Sequence, residues 1–173
     1  MTQHIVPKRR NLPDLFAVCG YRIGAEVGTW QGEFAACILT RAGVDVLHCV
    51  DPWDGTGMRQ AFDGDAVMRE TQRRLRPFGT RAHIIRECSL DAVARFEDGS
   101  LDFVYIDAKH DYENARADIV AWLPKVRRYG VMSGHDYSNR RGKGVKRAVQ
   151  EVFAGMAVNS TAGDRCASWW IQV

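Results

Sequence analysis

The sequence predicts an α/β protein with a mostly parallel sheet that is covered by helices on both faces. Segments typical of strands alternate with segments typical of helices along the chain. The strand-like segments are apolar on both faces, most clearly LDFVYIDA at 101–108, and such strands are typical of buried parallel sheets. Neither an internal repeat nor a linker interrupts the alternation, so we expect a single domain over residues 1–173.

The strands are predicted from short apolar runs, and the helices from longer segments with helical periodicity. The predicted strands are 22–28, 45–51, 81–88, 101–108 and 130–137, followed by two short terminal strands, of which the last is 168–173. Gly43 ends the first helix after the first strand, and Pro77 stops the second. The predicted helices are 32–43, one that ends at about Arg76, 89–96, 111–126 and 144–155, preceded by an N-terminal helical extension at 1–20.

Composition excludes several classes of protein. Of the 173 residues, 46% are hydrophobic and 26% are charged, which is typical of a globular domain rather than a disordered or collagen-like chain. No apolar run approaches the roughly 18 residues of a membrane span, and no signal-peptide pattern is present, so we expect a cytoplasmic protein that does not contact membranes. The five widely spaced cysteines predict reduced, mostly buried thiols rather than disulfides or a zinc site.

Polar residues lie at the predicted carboxyl ends of the strands, where parallel sheets bind ligands. They are Glu26–Gly28, Asp51, Cys88–Ser89, Asp107 and His135–Asp136. The same architecture also occurs in flavodoxin-like and nicotinamide-binding proteins, so the function depends on the identity of these residues.

The loop EVGTWQG at 26–32 connects the first strand to the first helix that follows it. Its glycines let a ligand approach the backbone, and the following helix offers unpaired N–H groups. The spacing is not the GxGxxG of pyrophosphate binders, and Glu26 would repel a pyrophosphate but attract a cationic group such as an amine. The alternative is a tight turn without a ligand.

Asp51 ends the second strand, 23 residues after Gly28. An acidic residue about 20 residues beyond the glycine loop is suited to hold ribose hydroxyls. Alternatively, Asp51 only initiates a turn before Pro52. The loop and Asp51 together favour an adenosine-bearing ligand.

Three strings of the sequence carry a resemblance to a known family: EVGTWQGEFA, VDPWDG and DFVYIDAKHDYENARADIVAWLPKVRRYGVMSGHDY. They resemble the class I S-adenosylmethionine-dependent methyltransferases, and most closely a small bacterial group with IDAxHxY and GHDY motifs, similar to the metal-dependent catechol-type and sugar O-methyltransferases. The resemblance extends from about Leu12 to Val173. It implies a Rossmann-like seven-stranded sheet with an antiparallel last strand, which SWWIQV at 168–173 would supply.

The resemblance implies S-adenosylmethionine as the cofactor. Gly28 would lie beside its methionine portion, Asp51 on the ribose and Ser89 near the adenine, while Trp53 would pack on the adenine ring or belong to the core. The expected cofactor-binding residues are Glu26, Gly28, Trp30, Gly32, Asp51, Trp53, Ser89 and Asp107.

The loop after the fourth strand is similar to that of the magnesium-dependent catechol-type enzymes. In those enzymes an Asp binds the metal and a basic residue three positions later deprotonates the substrate hydroxyl. The matching positions are Asp107 and His110, with histidine in place of lysine. A neutral imidazole can accept a proton near pH 7, so we expect Asp107, His110 and Asp136 to be catalytic. The alternative is that His110 only caps or packs the helix behind it.

The expected metal ligands are Asp107, His135 and Asp136, because the family places its other ligands where the fifth strand ends. Two carboxylates suit magnesium. His135 departs from an all-oxygen set, which favours manganese, iron or another borderline ion, or no metal at all.

The function expected from these residues is methyl transfer to an oxygen of a small hydroxylated molecule, with metal-assisted or His-assisted deprotonation. The segment SNRRGKGVKR at 138–147 contains no acid and either recruits an anionic, sugar-like acceptor or is a solvated loop and helix face. Because few residues precede the first strand, the loop at 53–64 or a second subunit of a homodimer is expected to close the site.

Two alternative functions follow from the same residues. A nucleic-acid methyltransferase is disfavoured by the net charge of only +3 and by the absence of a flipped-base signature such as NPPY. A catalytically silent domain that binds S-adenosylmethionine is the other alternative, and it would tolerate the loss of the acidic and histidine residues.

Overall fold

The computed structural model describes residues 6–55, 62–138 and 144–173. Its strands are β1 (Ile23–Val27), β2 (Val46–Val50), β3 (Ala82–Ile85), β4 (Leu101–Ile106), β5 (Val126–Gly134), β6 (Asn159–Ser160) and β7 (Trp169–Gln172). They form one seven-stranded sheet with the order β3-β2-β1-β4-β5-β7-β6. The first five strands are parallel, whereas β7 is antiparallel to β5 and to β6. The predicted sheet, with its antiparallel last strand, is confirmed.

Helices cover both faces of this sheet. The α-helices of the described residues are α1 (Leu12–Val18), α2 (Glu33–Arg41), α3 (Gly64–Leu75), α4 (Ser89–Ala92), α5 (Tyr112–Trp122) and α6 (Val145–Val152). On one face, α1 to α3 pack against Phe103 and Tyr105 of β4. On the other face, α4 to α6 pack against Val104 and Ile106 of the same strand. Because successive side chains of a strand point to opposite faces, β4 is apolar on both faces from Phe103 to Ile106.

The fifth strand differs from the prediction, since it covers Val126–Gly134 instead of 130–137. Pro124 disfavours continuation of the helix at 111–126, and α5 ends at Trp122, before a 3₁₀ turn. The chain then joins the sheet at Val126, with a shift of register against β4 between Leu101 and Phe103. Asp136 has a φ of +56°, so the chain leaves the sheet and His135 and Asp136 lie beyond the end of β5.

The prediction of mostly buried cysteines is wrong. The five cysteines all lie within the described residues and form no disulfide, but only Cys49 is buried, whereas Cys19 and Cys88 are exposed. Cysteine is usually buried, but a cysteine that follows the end of a helix or a strand can be exposed by its position. Within the described ranges, no helix has the length and apolar character needed to cross a membrane.

The strand order reverses between β1 and β4, because β2 and β3 lie on one side of β1, while β4 and β5 lie on the other. Ligands of open α/β sheets bind outside the carboxyl ends of the strands at such a point. Glu26, Asp51, Asp107 and Asp136 all lie at this edge, at the end of β1, β2, β4 and β5 respectively.

Candidate active site at the carboxyl ends of the strands

The loop after β1 packs directly on the end of β4. Gly28 has a φ of +90°, and a Cβ atom at this position would lie 2.3 Å from the carbonyl oxygen of Asp107. Only glycine fits both constraints. Gly32, with a φ of +74°, precedes α2, so the loop turns twice before the helix begins. The glycines therefore place the backbone of this loop beside the first residue after β4.

Asp51 joins this loop to the one that follows β2. Its carboxylate accepts hydrogen bonds from the backbone N–H groups of Trp30 (2.9 Å) and Trp53 (2.8 Å). Burial raises the pKa of Asp51, and the two hydrogen bonds oppose that rise. The hydrogen bond to Trp53 forms the turn that is the alternative role of Asp51 given above. Each carboxylate oxygen has two lone pairs, so Asp51 retains acceptor capacity for a ligand.

The two tryptophans of these loops have different environments. Trp53 is buried, and its indole N–H donates to the carbonyl of Trp30 at 2.9 Å. Trp30 is half-buried and meets the ring of Phe62 edge-on, with 4.6 Å between ring centroids. Trp53 thus packs within the protein, while Trp30 and Phe62 are the aromatic rings nearer to the surface. Residues 56–61, which form most of the rest of the expected closing loop, lie outside the described residues.

Ser89 begins α4, directly after Cys88. Its hydroxyl accepts a hydrogen bond from the indole N–H of Trp122 at 2.9 Å. It also hydrogen-bonds to Asp118, whose pKa burial raises to about 6 while that bond lowers it. The side chain of Ser89 is therefore bonded to α5.

Two carboxylates and two histidines meet beyond the ends of β4 and β5. His110 Nε2 lies 3.1 Å from Asp136 Oδ2, and Asp136 is only 4% exposed. His135 Nδ1 lies 3.4 Å from Asp107 Oδ1 and 3.8 Å from Asp136 Oδ2. The ligand atoms of Asp107, His110 and Asp136 all lie within 4.8 Å of one another. The structure thus brings together the four residues that were singled out after the fourth and fifth strands.

Arg9 joins this cluster from the N-terminal segment and was not predicted from the sequence. Its guanidinium lies 2.7 Å from Asp107 Oδ2 and over the rings of Phe34 (4.3 Å) and Tyr105 (5.2 Å). Its Nε is buried without a hydrogen-bond partner among the described residues. No periodicity or spacing marks Arg9 within the basic run Lys8-Arg9-Arg10.

Glu26 is 1% exposed, and the charges of Arg9 and Asp107 both act on its carboxyl. Burial raises its pKa to about 8, although the charge of Arg9 acts in the opposite direction. Its Oε2 atom has no hydrogen-bond partner among the described residues. A buried polar atom without a partner is rare in folded proteins and requires an explanation.

The basic segment at 138–147 is described only in part, since Arg140, Arg141 and Lys143 lie outside the described residues. Lys146 and Arg147 belong to α6. They lie over aromatic rings, Lys146 over Tyr137 at 5.3 Å and Arg147 over Tyr112 at 4.1 Å. These two cations therefore pack on the helix surface next to the site.

Solved structures with the same fold include two O-methyltransferases. One is the O-methyltransferase from Bacillus cereus in complex with SAH, with 18% identity, coverage of 100% of this chain and 84% of that chain, and a TM-score of 0.70. The other is the O-methyltransferase TomG from Streptomyces achromogenes, involved in tomaymycin synthesis, in complex with SAM. Its identity is 16%, its coverage 95% and 79%, and its TM-score 0.69. At these identities the likeness shows the fold.

A curated relative and a family model match by sequence. The uncharacterized protein y4gI of Sinorhizobium fredii is 29% identical over 134 residues, which cover 75% of this chain but 15% of that protein, so the chain spans only a small part of this relative. The model of a family described as methyltransferase domain matches residues 25–137, from within β1 to just beyond the cluster at His135 and Asp136. This match covers more than half of the chain, which therefore belongs to the methyltransferase domain family.

Proposed function

We propose that the protein is an S-adenosylmethionine-dependent methyltransferase that methylates an oxygen of a small hydroxylated, anionic or sugar-like molecule. The observation that carries the proposal is the pair formed by His110 and the buried Asp136 beside Asp107, at the edge where the β1 loop and Asp51 would hold the cofactor. Membership of the methyltransferase domain family supports the reaction type.

The residues around the β1 loop fit the proposed cofactor. The unpartnered Oε2 of Glu26 suits a cationic group such as the amine of the methionine portion. Asp51 keeps acceptor capacity for the two ribose hydroxyls, and Trp30 offers a partly accessible aromatic ring. Ser89 is proposed near the adenine, although its hydroxyl is bonded to α5.

In the proposed reaction, the protein aligns the acceptor and removes its proton. S-adenosylmethionine, when bound, supplies an electrophilic methyl group on a sulfonium. Methyl transfer is an in-line displacement, so orientation of the acceptor oxygen contributes much of the rate. If the Nε2–H of His110 donates to Asp136, Nδ1 is the nitrogen that accepts the acceptor's proton, and the Asp136 carboxylate stabilises the imidazolium that forms.

A metal ion is the alternative way to activate the acceptor oxygen. Asp107, His110 and Asp136 offer one nitrogen and two carboxylate ligands within 4.8 Å of one another, a set that suits manganese or another borderline ion better than magnesium. His135 lies at the edge of this set, 3.4 Å from Asp107. Such an ion would polarise the acceptor oxygen and lower its pKa. His110 cannot be a metal ligand and the proton acceptor through the same lone pair, so the two versions make different predictions.

Calorimetric titration with S-adenosylhomocysteine tests the proposal. We expect micromolar binding that Asp51→Ala abolishes and that Asp45→Ala, at the opposite end of β2, leaves unchanged. Asp45 is exposed and pairs with Arg22, remote from the site. The absence of binding to the wild-type protein would overturn the proposal.

Titration with manganese and magnesium then separates the two mechanisms. If manganese binds and Asp136→Asn removes that binding, the metal-assisted version is supported. If neither ion binds or changes turnover of an anionic polyol acceptor, the His-assisted version is supported. Binding of S-adenosylhomocysteine without turnover of any acceptor in a broad panel, RNA included, would favour a silent domain.

A further inference from the structure

We infer that Arg9 binds the carboxylate of the cofactor's amino-acid end, so that the N-terminal segment completes the cofactor site. This inference rests on the proposed function, because it specifies how one end of the proposed cofactor is held. It assigns to Arg9 a binding role that cannot be read from the loop after β1 or from the strand ends.

Two buried polar atoms near Arg9 lack hydrogen-bond partners among the described residues. One is the donor Nε of Arg9, and the other is the acceptor Oε2 of Glu26. Both belong to residues next to Asp107, since Arg9 contacts Asp107 directly and Asp107 contributes to the raised pKa of Glu26. A ligand that satisfies both atoms needs one acceptor and one donor. The carboxylate and the ammonium of an amino acid provide this pair of groups.

The charges at this place also suit a zwitterion. Glu26 and Asp107 are two acidic side chains, and the cation Arg9 contacts Asp107 and acts on Glu26 through its charge. An ammonium near Glu26 would favour the ionised form of this buried carboxyl and balance its charge. A ligand carboxylate would then pair with Arg9, whose planar guanidinium can bind Asp107 and a second carboxylate through different N–H groups.

The guanidinium of Arg9 is fixed before any ligand arrives. It lies over the ring of Phe34 from α2 and the ring of Tyr105 from β4, and it is in contact with the carboxylate of Asp107. A side chain that is held in this way loses little further conformational entropy when a ligand binds.

The backbone around Arg9 is held by the C-terminal part of the chain. The N–H of Arg9 donates to Asp164 Oδ2 at 2.5 Å, and the carbonyl of Pro7 accepts from the N–H of Gly163 at 2.8 Å. The hydroxyl of Thr161 donates to Asp164 at 2.9 Å. A Cβ at Gly163 would lie 2.9 Å from the carbonyl oxygen of Pro7, so the two segments approach closely. Arg9 is therefore held at the site independently of its ion pair.

The test compares ligands that differ only at the amino-acid end. We would measure the affinities of S-adenosylhomocysteine, its decarboxylated analogue and 5′-methylthioadenosine, which lacks the whole amino-acid end, for the wild type and for Arg9→Gln. Arg10→Gln is the matched control, because Arg10 is the exposed neighbour on the same segment. Thermal unfolding verifies that each variant is folded.

We expect Arg9→Gln to weaken S-adenosylhomocysteine by about 10- to 100-fold, the range for loss of a hydrogen bond between charged groups. The decarboxylated analogue and 5′-methylthioadenosine should bind Arg9→Gln and the wild type equally, and Arg10→Gln should bind all three like the wild type. An equal loss for all three ligands, or no loss for any, would overturn the inference. If the wild type binds none of the three ligands, both the proposed function and this inference fail. If the losses of affinity differ between ligands but do not follow the presence of the carboxylate, only the role of Arg9 is refuted.

Discussion

Glu26 should make the stability of the protein fall as the pH rises toward 8. Its carboxyl is buried, and burial raises its pKa from 4.5 to about 8 in the folded state. Between these values the folded protein keeps a proton that the unfolded chain has released. The folding equilibrium constant therefore decreases by about tenfold per pH unit in this window, on the order of a thousandfold in all. The contribution is fully present below pH 4.5 and is lost as the pH approaches 8.

The substitution Glu26→Gln removes this titration and retains the shape of the side chain. We expect the variant and the wild type to differ little in unfolding free energy near pH 5, and the variant to be increasingly the more stable of the two up to pH 8. Urea unfolding followed by the fluorescence of the five tryptophans measures this difference at each pH. Other titrating groups are common to both proteins, so the difference isolates Glu26. Glu97→Gln, at an exposed position, is the control. A difference that does not change with pH would refute the reasoning.

Three further predictions concern the site and its support. His110→Ala should lower kcat by about 10²-fold or more, while the affinity for S-adenosylhomocysteine stays within about twofold of the wild-type value. Normal turnover of an accepted substrate by this variant would reject His110 as the base. Gly28→Ala should destabilise the protein by more than about 2 kcal/mol and weaken cofactor binding, because its Cβ meets the backbone of Asp107. Gly43→Ala should cost only about 1 kcal/mol, since Gly43 has a similarly positive φ but open space around it. Equal thermal unfolding of these two variants would contradict the packing argument. Trp122→Phe should cost about 2 kcal/mol in urea unfolding, because it removes the hydrogen bond to Ser89 within a buried contact; an unchanged midpoint would show that this bond contributes nothing.

Much of the fold could be predicted because the pattern of each strand depends on its place in the sheet. β4 lies between β1 and β5 with helices on both faces, so it is expected to be apolar on both faces, and LDFVYI has that pattern apart from Asp102. The start of β5 was missed because the helix is predicted to continue to residue 126, and the polar Arg127 and Arg128 are typical of a helix surface rather than a strand. Val126 and Val131–Gly134 pair with β4, so residues 127–129 lie at the shift of register between them. The N–H of Tyr129 instead donates to the carbonyl of Val173, a long-range contact that local sequence does not contain.

The candidate site, like the fold, could be predicted only in part. Residues at strand ends could be predicted to meet, because parallel strands end at one edge of the sheet. Asp107 and Asp136 follow this rule. The environment of Ser89 and Trp53 did not follow from it, since their bonds to Trp122 and to the carbonyl of Trp30 depend on how loops and helices pack.

The role of Arg9 could not be predicted from the pattern of strands and helices. Its contact with Asp107 joins positions 98 residues apart, and Arg9 neither belongs to a strand of the sheet nor adjoins one. The contact depends on Gly163 and Asp164 near the other end of the chain, which bind the backbone of residues 7–9. From its length, the segment before β1 is expected to be too short to form a lid over the site. Because the segment is anchored in this way, the long side chain of Arg9 reaches the ends of β1 and β4. The segment can therefore contribute a charge to the proposed cofactor site without forming a lid. Weakening that anchor with Asp164→Asn should therefore alter the affinity for S-adenosylhomocysteine more than that for 5′-methylthioadenosine, and an equal effect on both ligands would show that the anchor serves stability alone.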